Sequence, residues 1–254
     1  MDVFIICLAA FAGSALTFFS GFGLGTLLLP VFGLFFPIEI AVGLTAIVHF
    51  LNNLFKLGIV WRYAQWRIVW QFGLPALLAA AAGAWLLSQL PHVSIYQYQL
   101  GGRLVSVSLL KLVVGSLMLF FAIVELSPRW QHVSVPASWM PLGGLLSGFF
   151  GGLSGHQGAL RSAFLLRLQL PKAGFVATGV AIACLVDISR LSLYSSIWIT
   201  AAIPWKLVAA ATGSAFGGAW LGNRWLKKAT LRGFQIAVAA FIIAFSLALI
   251  AGLI

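Results

Sequence analysis

Long apolar segments joined by short polar connections are the feature that most limits what this chain can fold into. Hydrophobic segments lie near residues 3–36, 38–60, 68–90, 105–126, 137–168, 172–194, 205–222 and 233–253. Each has roughly 18 or more residues, which is enough to cross about 30 Å of hydrocarbon as a helix. The connections are too short to form a soluble domain. The sequence therefore predicts an all-α integral membrane protein, with residues 1–254 in a single membrane domain.

The charges are few and unbalanced. Charged residues make up 7% of the chain, and the formal net charge is +11. A soluble domain would carry roughly 25% charged residues. Because the basic residues flank the apolar segments, most of them are topology signals, and no nucleic-acid partner is expected. Asp187 is the one acidic residue in the middle of a segment. A cation transporter usually needs several buried carboxylates, so this balance favours an anionic substrate.

The first and fifth segments are longer than one crossing requires, and glycine clusters interrupt both. The first segment breaks at SGFGLG (Ser20–Gly25), and the fifth breaks at GGLSGHQG (Gly151–Gly158). Glycine clusters unwind a helix because glycine loses more conformational freedom than other residues when it becomes helical. We therefore expect each of these two segments to be broken or re-entrant.

Residues of the same or similar type recur in pairs with one common spacing along the chain, which indicates an internal duplication. The pairs are Pro37 with Pro171, Ser20 with Ser154, Gly21 with Gly155, Asn53 with Asp187, and Lys56 with Arg190. The tripeptide GAW at 83–85 recurs at 218–220 with a spacing one residue longer. The two repeats cover about residues 1–126 and 137–254.

The basic residues indicate how the repeats are oriented. If all eight segments cross the membrane, basic connections fall on both faces, against the positive-inside bias. If the first and fifth segments enter and return, most basic residues outside the membrane share one face. These residues are Arg62, Arg67, Arg129, Arg167, Lys172, Arg224, Lys227, Lys228 and Arg232. The charges thus favour inverted repeats, and inverted repeats with discontinuous helices are a transporter design.

The second segment carries a polar stripe within HFLNNLFK. His49, Asn52, Asn53 and Lys56 are spaced three or four residues apart, so they fall on one helical face. A polar stripe in an apolar helix must face protein or water, and one interpretation is that it lines a substrate cavity. The alternative is hydrogen bonding between helices, with Lys56 snorkelling to the membrane surface.

The equivalent stretch of the second repeat is CLVDISR. Asp187 and Arg190 are three residues apart and can pair on one helix face, which lowers the cost of burying both. A structural ion pair is one interpretation. In the functional interpretation Arg190 binds the anion and Asp187 is a proton-coupling group, because a carboxylate in mid-membrane is a candidate proton relay.

The two glycine breaks are predicted to hold the anion with backbone N–H groups and the positive ends of half-helices. The predicted substrate-binding residues at the breaks are Ser20, Gly21, Gly23, Gly25, Ser154, Gly155, His156, Gln157 and Gly158. Arg161 adds a guanidinium suited to an oxyanion. The alternative interpretation of the glycines is close helix packing.

Two long stretches resemble the paired signatures of the sulfite exporter TauE/SafE family. Each signature has a glycine-rich break, then a proline ahead of an alanine-rich helix, then a small polar cluster. The stretches are SGFGLGTLLLPVFGLFFPIEIAVGLTAIVHFLNNLFKL and SGFFGGLSGHQGALRSAFLLRLQLPKAGFVATGVAIACLVD. The resemblance implies a carrier of sulfur-containing anions such as sulfite, sulfoacetate or another organosulfonate. It also implies the bacterial inner membrane and coupling to the proton gradient.

Together these observations predict a multi-pass secondary transporter of the cell inner membrane, acting by alternating access around an anion site at the membrane midplane. Its expected partners are a small anion, the lipid bilayer and protons. A homodimer is one possible assembly. We expect no cofactor and no metal. An anion channel, a membrane-embedded assembly protein and an enzyme remain as alternatives. An enzyme would need a nucleophile or a metal set, which four scattered histidines with few carboxylates supply poorly.

Overall fold

The fold is dominated by apolar helices. The structure is a computed structural model, and it describes residues 2–16, 23–90, 94–127, 136–200, 203–225 and 232–254. The first-half helices are α1 (Asp2–Leu16), α2 (Leu24–Gly33), α3 (Ile38–Val60), α4 (Trp66–Gln89) and α5 (Leu109–Leu126). Those of the second half are α6 (Met140–Ser154), α7 (Gly158–Leu166), α8 (Lys172–Thr200), α9 (Trp205–Trp225) and α10 (Arg232–Ile250).

Several of these helices are long enough to cross a membrane. Within the described part of the chain, four helical stretches combine the required length and apolarity: Ile38–Tyr63, Trp66–Gln89, Leu109–Leu126 and Lys172–Tyr194. Shorter apolar helices cover Asp2–Leu16, Leu24–Gly33 and Gln235–Ile250. The chain is therefore a multi-pass membrane protein, as its sequence predicted.

The fifth segment is broken where its glycines predicted. Helix α6 ends at Ser154 and α7 begins at Gly158. Between them Gly155 has a φ of +80°, a left-handed conformation that favours glycine. Helix α7 then returns beside α6, because Gln157 packs against Gly151 and Phe164 packs against Gly143. In the first segment α1 covers Asp2–Leu16 and α2 begins at Leu24, and residues 17–22 lie outside the described residues.

A β-hairpin lies between α4 and α5 in a mostly helical chain, which is consistent with the predicted all-α membrane fold. Strands β1 (Ser94–Leu100) and β2 (Arg103–Ser108) pair antiparallel, and α5 begins only at Leu109. The sequence SIYQYQLGGRLVSVS explains the hairpin, because alternating polar and apolar residues flank two glycines with positive φ. Hydropathy alone predicts a connection here, followed by the start of the fourth hydrophobic segment. The Tyr98 hydroxyl anchors the hairpin by donating to the Ala251 carbonyl oxygen over 2.7 Å.

The first helix of each half packs on a helix of the other half. Helix α1 packs on α9 of the second half, and α6 packs on α4 of the first half. In each contact a glycine of the repeated GAW tripeptide meets backbone: Gly83 lies against the Phe149 carbonyl group, and Gly218 lies against that of Phe11. Each of these glycines thus lies against a backbone carbonyl group of the other half.

The central helices α3 and α8 run antiparallel to each other. Asn53 of α3 contacts Asp187 of α8, and beyond the end of α3 the Gln65 backbone N–H donates to the Thr178 hydroxyl over 3.0 Å. Residue numbers therefore rise along α3 in the direction in which they fall along α8. Helices α5 and α10 are also antiparallel. Gly115 of α5 lies against Ile250, and strand β2, which precedes α5, lies against Gly252, which follows α10.

Close backbone contact between α6 and α4 predicts a strong effect of adding one methyl group. Gly148 of α6 lies directly against the Ala76 carbonyl group, so a Cβ there forces the helices apart. Gly148→Ala should lower the free energy of unfolding by about 1–3 kcal/mol, the usual cost of overpacking. Thermal unfolding in detergent measures this effect.

The matched control is Gly213→Ala on α9, because Gly213 has open space where a Cβ would stand. This variant should be as stable as the parent or slightly more stable, since alanine favours the helix. Equal midpoints for the two variants would contradict the close packing of α6 on α4.

Candidate functional site

Asp187 lies near the middle of α8 and organises a polar cluster between the halves. Its side chain is fully buried. One carboxylate oxygen, Oδ2, accepts a hydrogen bond from Asn53 Nδ2 over 3.2 Å and lies 2.7 Å from His49 Nδ1. The other, Oδ1, accepts from Arg190 Nε over 2.9 Å and lies 2.7 Å from Arg190 Nη2. Burial of this carboxylate is tolerated because both oxygens have charged or hydrogen-bonding partners.

These four residues, His49, Asn53, Asp187 and Arg190, are called the central cluster below. The sequence placed them in two repeats, and the structure brings them together. Asn53 and Asp187 are 134 positions apart, and the repeat predicted from the sequence would equate them. The central cluster therefore joins α3 of the first half to α8 of the second half.

The second glycine break reaches the central cluster. Arg190 Nη1 lies so close to Gly155 that a Cβ added there would stand 2.8 Å from it. Four residues further along α8, the Tyr194 hydroxyl donates to the Gly152 carbonyl oxygen at the end of α6. Arg190 and Tyr194 thus fix the break against the middle of α8.

The start of α2, in the first half, also lies beside the central cluster and the second glycine break. The position of a Cβ on Gly25 would be 3.6 Å from the His49 ring, 3.8 Å from the Gly155 carbonyl oxygen and 3.8 Å from Thr45 Cγ2. His49 is about 16 Å along α3 at 1.5 Å per residue, which is about half of a hydrocarbon thickness. The two half-helices therefore begin close together, at the level of the polar stripe.

Helix ends at this level add positive electrostatic potential. Helix α2 begins after Gly23, and α7 begins after Gln157, and neither of these two N-cap residues caps its helix with its own side chain. Uncapped N–H groups and the helix dipole attract anions. Both helix starts belong to the breaks that the sequence predicted as binding elements, and Gly158 is the first residue of α7.

Buried side-chain nitrogens without partners lie at the second break. His156 Nε2 and Gln157 Nε2 have no hydrogen-bond partner within the described ranges, although both side chains are buried. His156 Nδ1 contacts the Ser154 carbonyl oxygen at 3.0 Å, so Nδ1 carries the proton and Nε2 of the neutral ring is an acceptor. The ring stacks on Phe121. A buried donor left unsatisfied costs roughly 1–3 kcal/mol, so the Gln157 amide nitrogen is a candidate for contact with an anion.

Arg161 is joined to the same break. Its Nη1 donates to Gln157 Oε1 over 3.2 Å, while the Gln157 carbonyl oxygen accepts from the Ser147 hydroxyl over 3.0 Å. The side chain passes Gly179 of α8, where an added Cβ would stand 3.4 Å from Arg161 Nε. A guanidinium is thereby held beside the uncapped start of α7.

Asn52 and Lys56 form a second polar group, turned away from Asp187. With its amide oriented to match its neighbours, Asn52 donates to the Ala215 carbonyl oxygen of α9 and accepts from Lys56 Nζ, each over 3.2 Å. Ser14 of α1 lies within hydrogen-bonding distance of the same amide. The Lys56 side chain is 3% exposed, which argues against snorkelling to the surface. The predicted stripe thus serves two neighbouring polar groups.

The remaining predicted residues divide into described and undescribed positions. Ser20 and Gly21 lie outside the described residues. Gly23 stands at the start of α2, and the Ser154 hydroxyl donates to the Phe150 carbonyl oxygen over 3.2 Å. Thr45 and Tyr194 are not among the residues predicted from the sequence. Thr45 lies one turn before His49 and so continues the polar stripe, a signal that is present in the sequence. Tyr194 lies four residues after Arg190 and seven after Asp187, so the same helical spacing also indicates it.

A comparison with protein families agrees with this architecture. The family model described as sulfite exporter TauE/SafE matches residues 5–249 of the 254, which include both breaks and the central cluster. The chain belongs to the sulfite exporter TauE/SafE family. Membership implies a membrane transporter of sulfur-containing anions. No curated protein and no solved structure is detectably similar to the chain.

The ion pair in the central cluster predicts a marked dependence of stability on both partners. Asp187→Asn leaves the buried Arg190 without its carboxylate and should lower the free energy of unfolding by about 3–5 kcal/mol. The double variant with Arg190→Gln should be less destabilised than the sum of the single variants, because the two residues are coupled. Thermal unfolding in detergent measures all three, with Asp2→Asn at the exposed start of α1 as control. Additive single effects would contradict the pairing.

The contact between Gly155 and Arg190 can be separated from backbone strain. Gly155 and Gly102 both have a φ of +80°, but Gly102 in the hairpin turn has open space around it. Alanine at either position should therefore lose a similar roughly 1–2 kcal/mol from left-handed strain. Only Gly155→Ala should also displace the Arg190 guanidinium and weaken anion binding, measured by calorimetry. Equal anion affinities in the two variants would show that Arg190 is not held by the break.

Proposed function

We propose that this chain is a secondary transporter that moves a small sulfur-containing anion across the bacterial inner membrane. The substrate class is sulfite, sulfoacetate or another organosulfonate, and the residues 1–254 act as one transport domain. The observation that carries the proposal is the meeting of two broken helices at the central cluster, on the interface between two halves. Irregular backbone at this depth is tolerated where it is enclosed by protein or lines a water-filled cavity.

The anion site in this proposal lies between the starts of α2 and α7. It uses the first backbone N–H groups after Gly23 and Gln157, and the Gln157 amide nitrogen, which has no partner among the described residues. His156 would donate from Nε2 to the anion only with a second proton on its ring. Arg161 supplies a positive charge held beside the break. Glycines at positions 25 and 155 let the backbone approach the ligand closely. Oxyanions suit this mixture, because their oxygens accept several hydrogen bonds while their charge offsets the guanidinium.

Alternating access follows if the repeats are inverted. The antiparallel packing of α3 on α8 and of α5 on α10 supports an axis in the membrane plane, since such an axis reverses equivalent helices. Exchange of the two arrangements then opens the same central site to either side. The contact of Asn53 with Asp187 would lie at the centre of this movement.

Basic residues support an orientation with the α3–α4 connection on the cytoplasmic face. That connection carries Arg62 and Arg67, and it lies beside the start of α8, where the Tyr63 carbonyl oxygen contacts Gly174. Lys172 begins α8, and Arg167 precedes it. Bases from both halves are thus close together, as the positive-inside bias of an inner-membrane protein requires.

Proton coupling in this proposal acts through Asp187. A proton on its carboxylate would remove the charge that holds Arg190 and the acceptor that contacts His49. Arg190, which already lies against Gly155, would then be available to an anion. Proton binding and anion binding would therefore favour each other, and thermodynamic linkage makes this preference reciprocal.

The proposal is tested by flux into proteoliposomes. Uptake of radiolabelled sulfite or sulfoacetate should saturate with concentration and rise at least tenfold with an inward proton gradient. Asp187→Asn should abolish the response to the gradient, whereas Glu39→Gln at the start of α3 should keep it. Each variant is checked for a monodisperse elution before reconstitution. Saturable flux that ignores the gradient would remove the coupling, and flux that does not saturate would favour a channel.

A further inference from the structure

We infer that the transported anion binds to the Thr45 hydroxyl, in a small space beside Gly25 where α2, α3 and the second glycine break meet. The inference rests on the proposed function and adds a substrate-binding residue that is not among those predicted from the sequence. Two independent observations carry it. The buried Thr45 hydroxyl has no hydrogen-bond partner among the described residues, and Gly25 is a helical glycine at which the side chain of alanine would fit.

The Thr45 hydroxyl lacks the hydrogen bond that buried hydroxyls in helices commonly make. Thr45 is 2% exposed, and its Oγ1 has no partner within the part of the chain that the structure describes. A serine or threonine inside a helix can donate to the carbonyl oxygen three or four residues earlier. Ser154 and Ser246 do so here, with Phe150 and Ile242 as acceptors. Because an unsatisfied buried hydroxyl destabilises the protein, a ligand explains this group better than helix stability does.

Gly25 provides the space beside that hydroxyl. The nearest neighbours of a Cβ added to Gly25 would be the His49 ring at 3.6 Å, and the Gly155 carbonyl oxygen and Thr45 Cγ2 at 3.8 Å each. These are ordinary van der Waals distances, and the φ of Gly25 is not positive. Alanine would therefore fit, and it would favour the helix. The glycine leaves room for a group as large as a methyl group, and one oxygen of a sulfite or sulfonate group is of that size.

Threonine can present its hydroxyl to this space. Oγ1 and Cγ2 are bonded to the same Cβ atom, and Cγ2 already borders the space. Threonine in a helix uses two staggered rotamers, so rotation about the Cα–Cβ bond can exchange the positions of the methyl group and the hydroxyl. The hydroxyl can therefore donate to an oxygen atom beside Gly25 without a movement of α3.

The other groups around the space explain why a donor is needed there. The Gly155 carbonyl oxygen borders the space, and its partial negative charge would repel an oxygen of the anion. Gly25 belongs to the first turn of α2, where backbone N–H groups lack carbonyl partners within the helix. Arg190 Nη1 lies against Gly155 and adds positive charge at the same break. The Thr45 hydroxyl completes these donors from α3, so elements of both halves hold one anion.

Thr45→Val tests the hydroxyl, because valine has nearly the same shape without it. Calorimetric titration of the full-length protein in detergent uses sulfite and sulfoacetate. Thr45→Val should bind them roughly tenfold or more weakly than the parent, the loss expected for one hydrogen bond to a charged group, whereas Thr45→Ser should stay within about threefold. Without an anion, the thermal midpoint of Thr45→Val should equal or exceed that of the parent, since an unsatisfied hydroxyl is removed. A merely structural role would lower the midpoint instead.

Thr212→Val is the matched control for this variant. Thr212 on α9 is also buried, and its hydroxyl likewise has no partner among the described residues, but it is not one of the three nearest groups around Gly25. This variant should bind both anions as the parent does. Parent-like binding by Thr45→Val, or an equal loss in Thr212→Val, would overturn the inference.

Gly25→Ala tests the space without changing the hydroxyl. The added methyl group should keep or raise the thermal midpoint, because alanine favours the helix, but it should weaken the binding of both anions roughly tenfold or more. Gly58→Ala on α3, where an added Cβ has nothing within 4 Å, should keep the affinity of the parent. If the parent binds an anion and Gly25→Ala binds it equally well, the inference is wrong and the proposed function stands. A parent that binds neither anion would overturn both.

Discussion

The arrangement of the central helices depends on the hydrogen bonds that the buried carboxylate of Asp187 accepts. It accepts from α3 of the first half through Asn53, and from its own helix through Arg190. Neither α3 nor α8 could bury these groups alone, because each would then carry unsatisfied polar atoms into the membrane interior. The pairing of the two helices is therefore specified by chemistry as well as by shape. It also fixes where the guanidinium of Arg190 stands, and through it where the second helix break lies.

Around the central cluster, glycine has two separate structural roles. At Gly148 and Gly218 its lack of a side chain lets helices of opposite halves touch through their backbones. At Gly155 it permits a left-handed turn that no other residue adopts easily, and it leaves room for Arg190. Close packing supports the outer contacts, and conformational freedom supports the break.

Much of this site followed from spacing in the sequence. Helical periodicity put His49 beside Asn53 and Asp187 beside Arg190, and the internal repeat equated Asn53 with Asp187. The direction of the Asn52 side chain could not be predicted from the spacing. It depends on the Ala215 carbonyl group, which α9 places beside it. The hairpin was missed for a different reason. Its alternating residues resemble a connection in a membrane protein, and only the Gly101–Gly102 turn distinguishes them. Local periodicity carries information within one helix, whereas contacts between helices require the fold.

The exchange of helices between the halves has a mechanical consequence. Helix α1 is bound through glycines to α9, and α6 is bound through glycines to α4. Bodies joined by direct backbone contact tend to move together, so the rigid units of any movement would cross the boundary between the repeats. In the proposed transport cycle, a sequence repeat would then differ from the unit that moves. Because each half packs on the other through these contacts, the movement would take place at the helices between the two joined bodies.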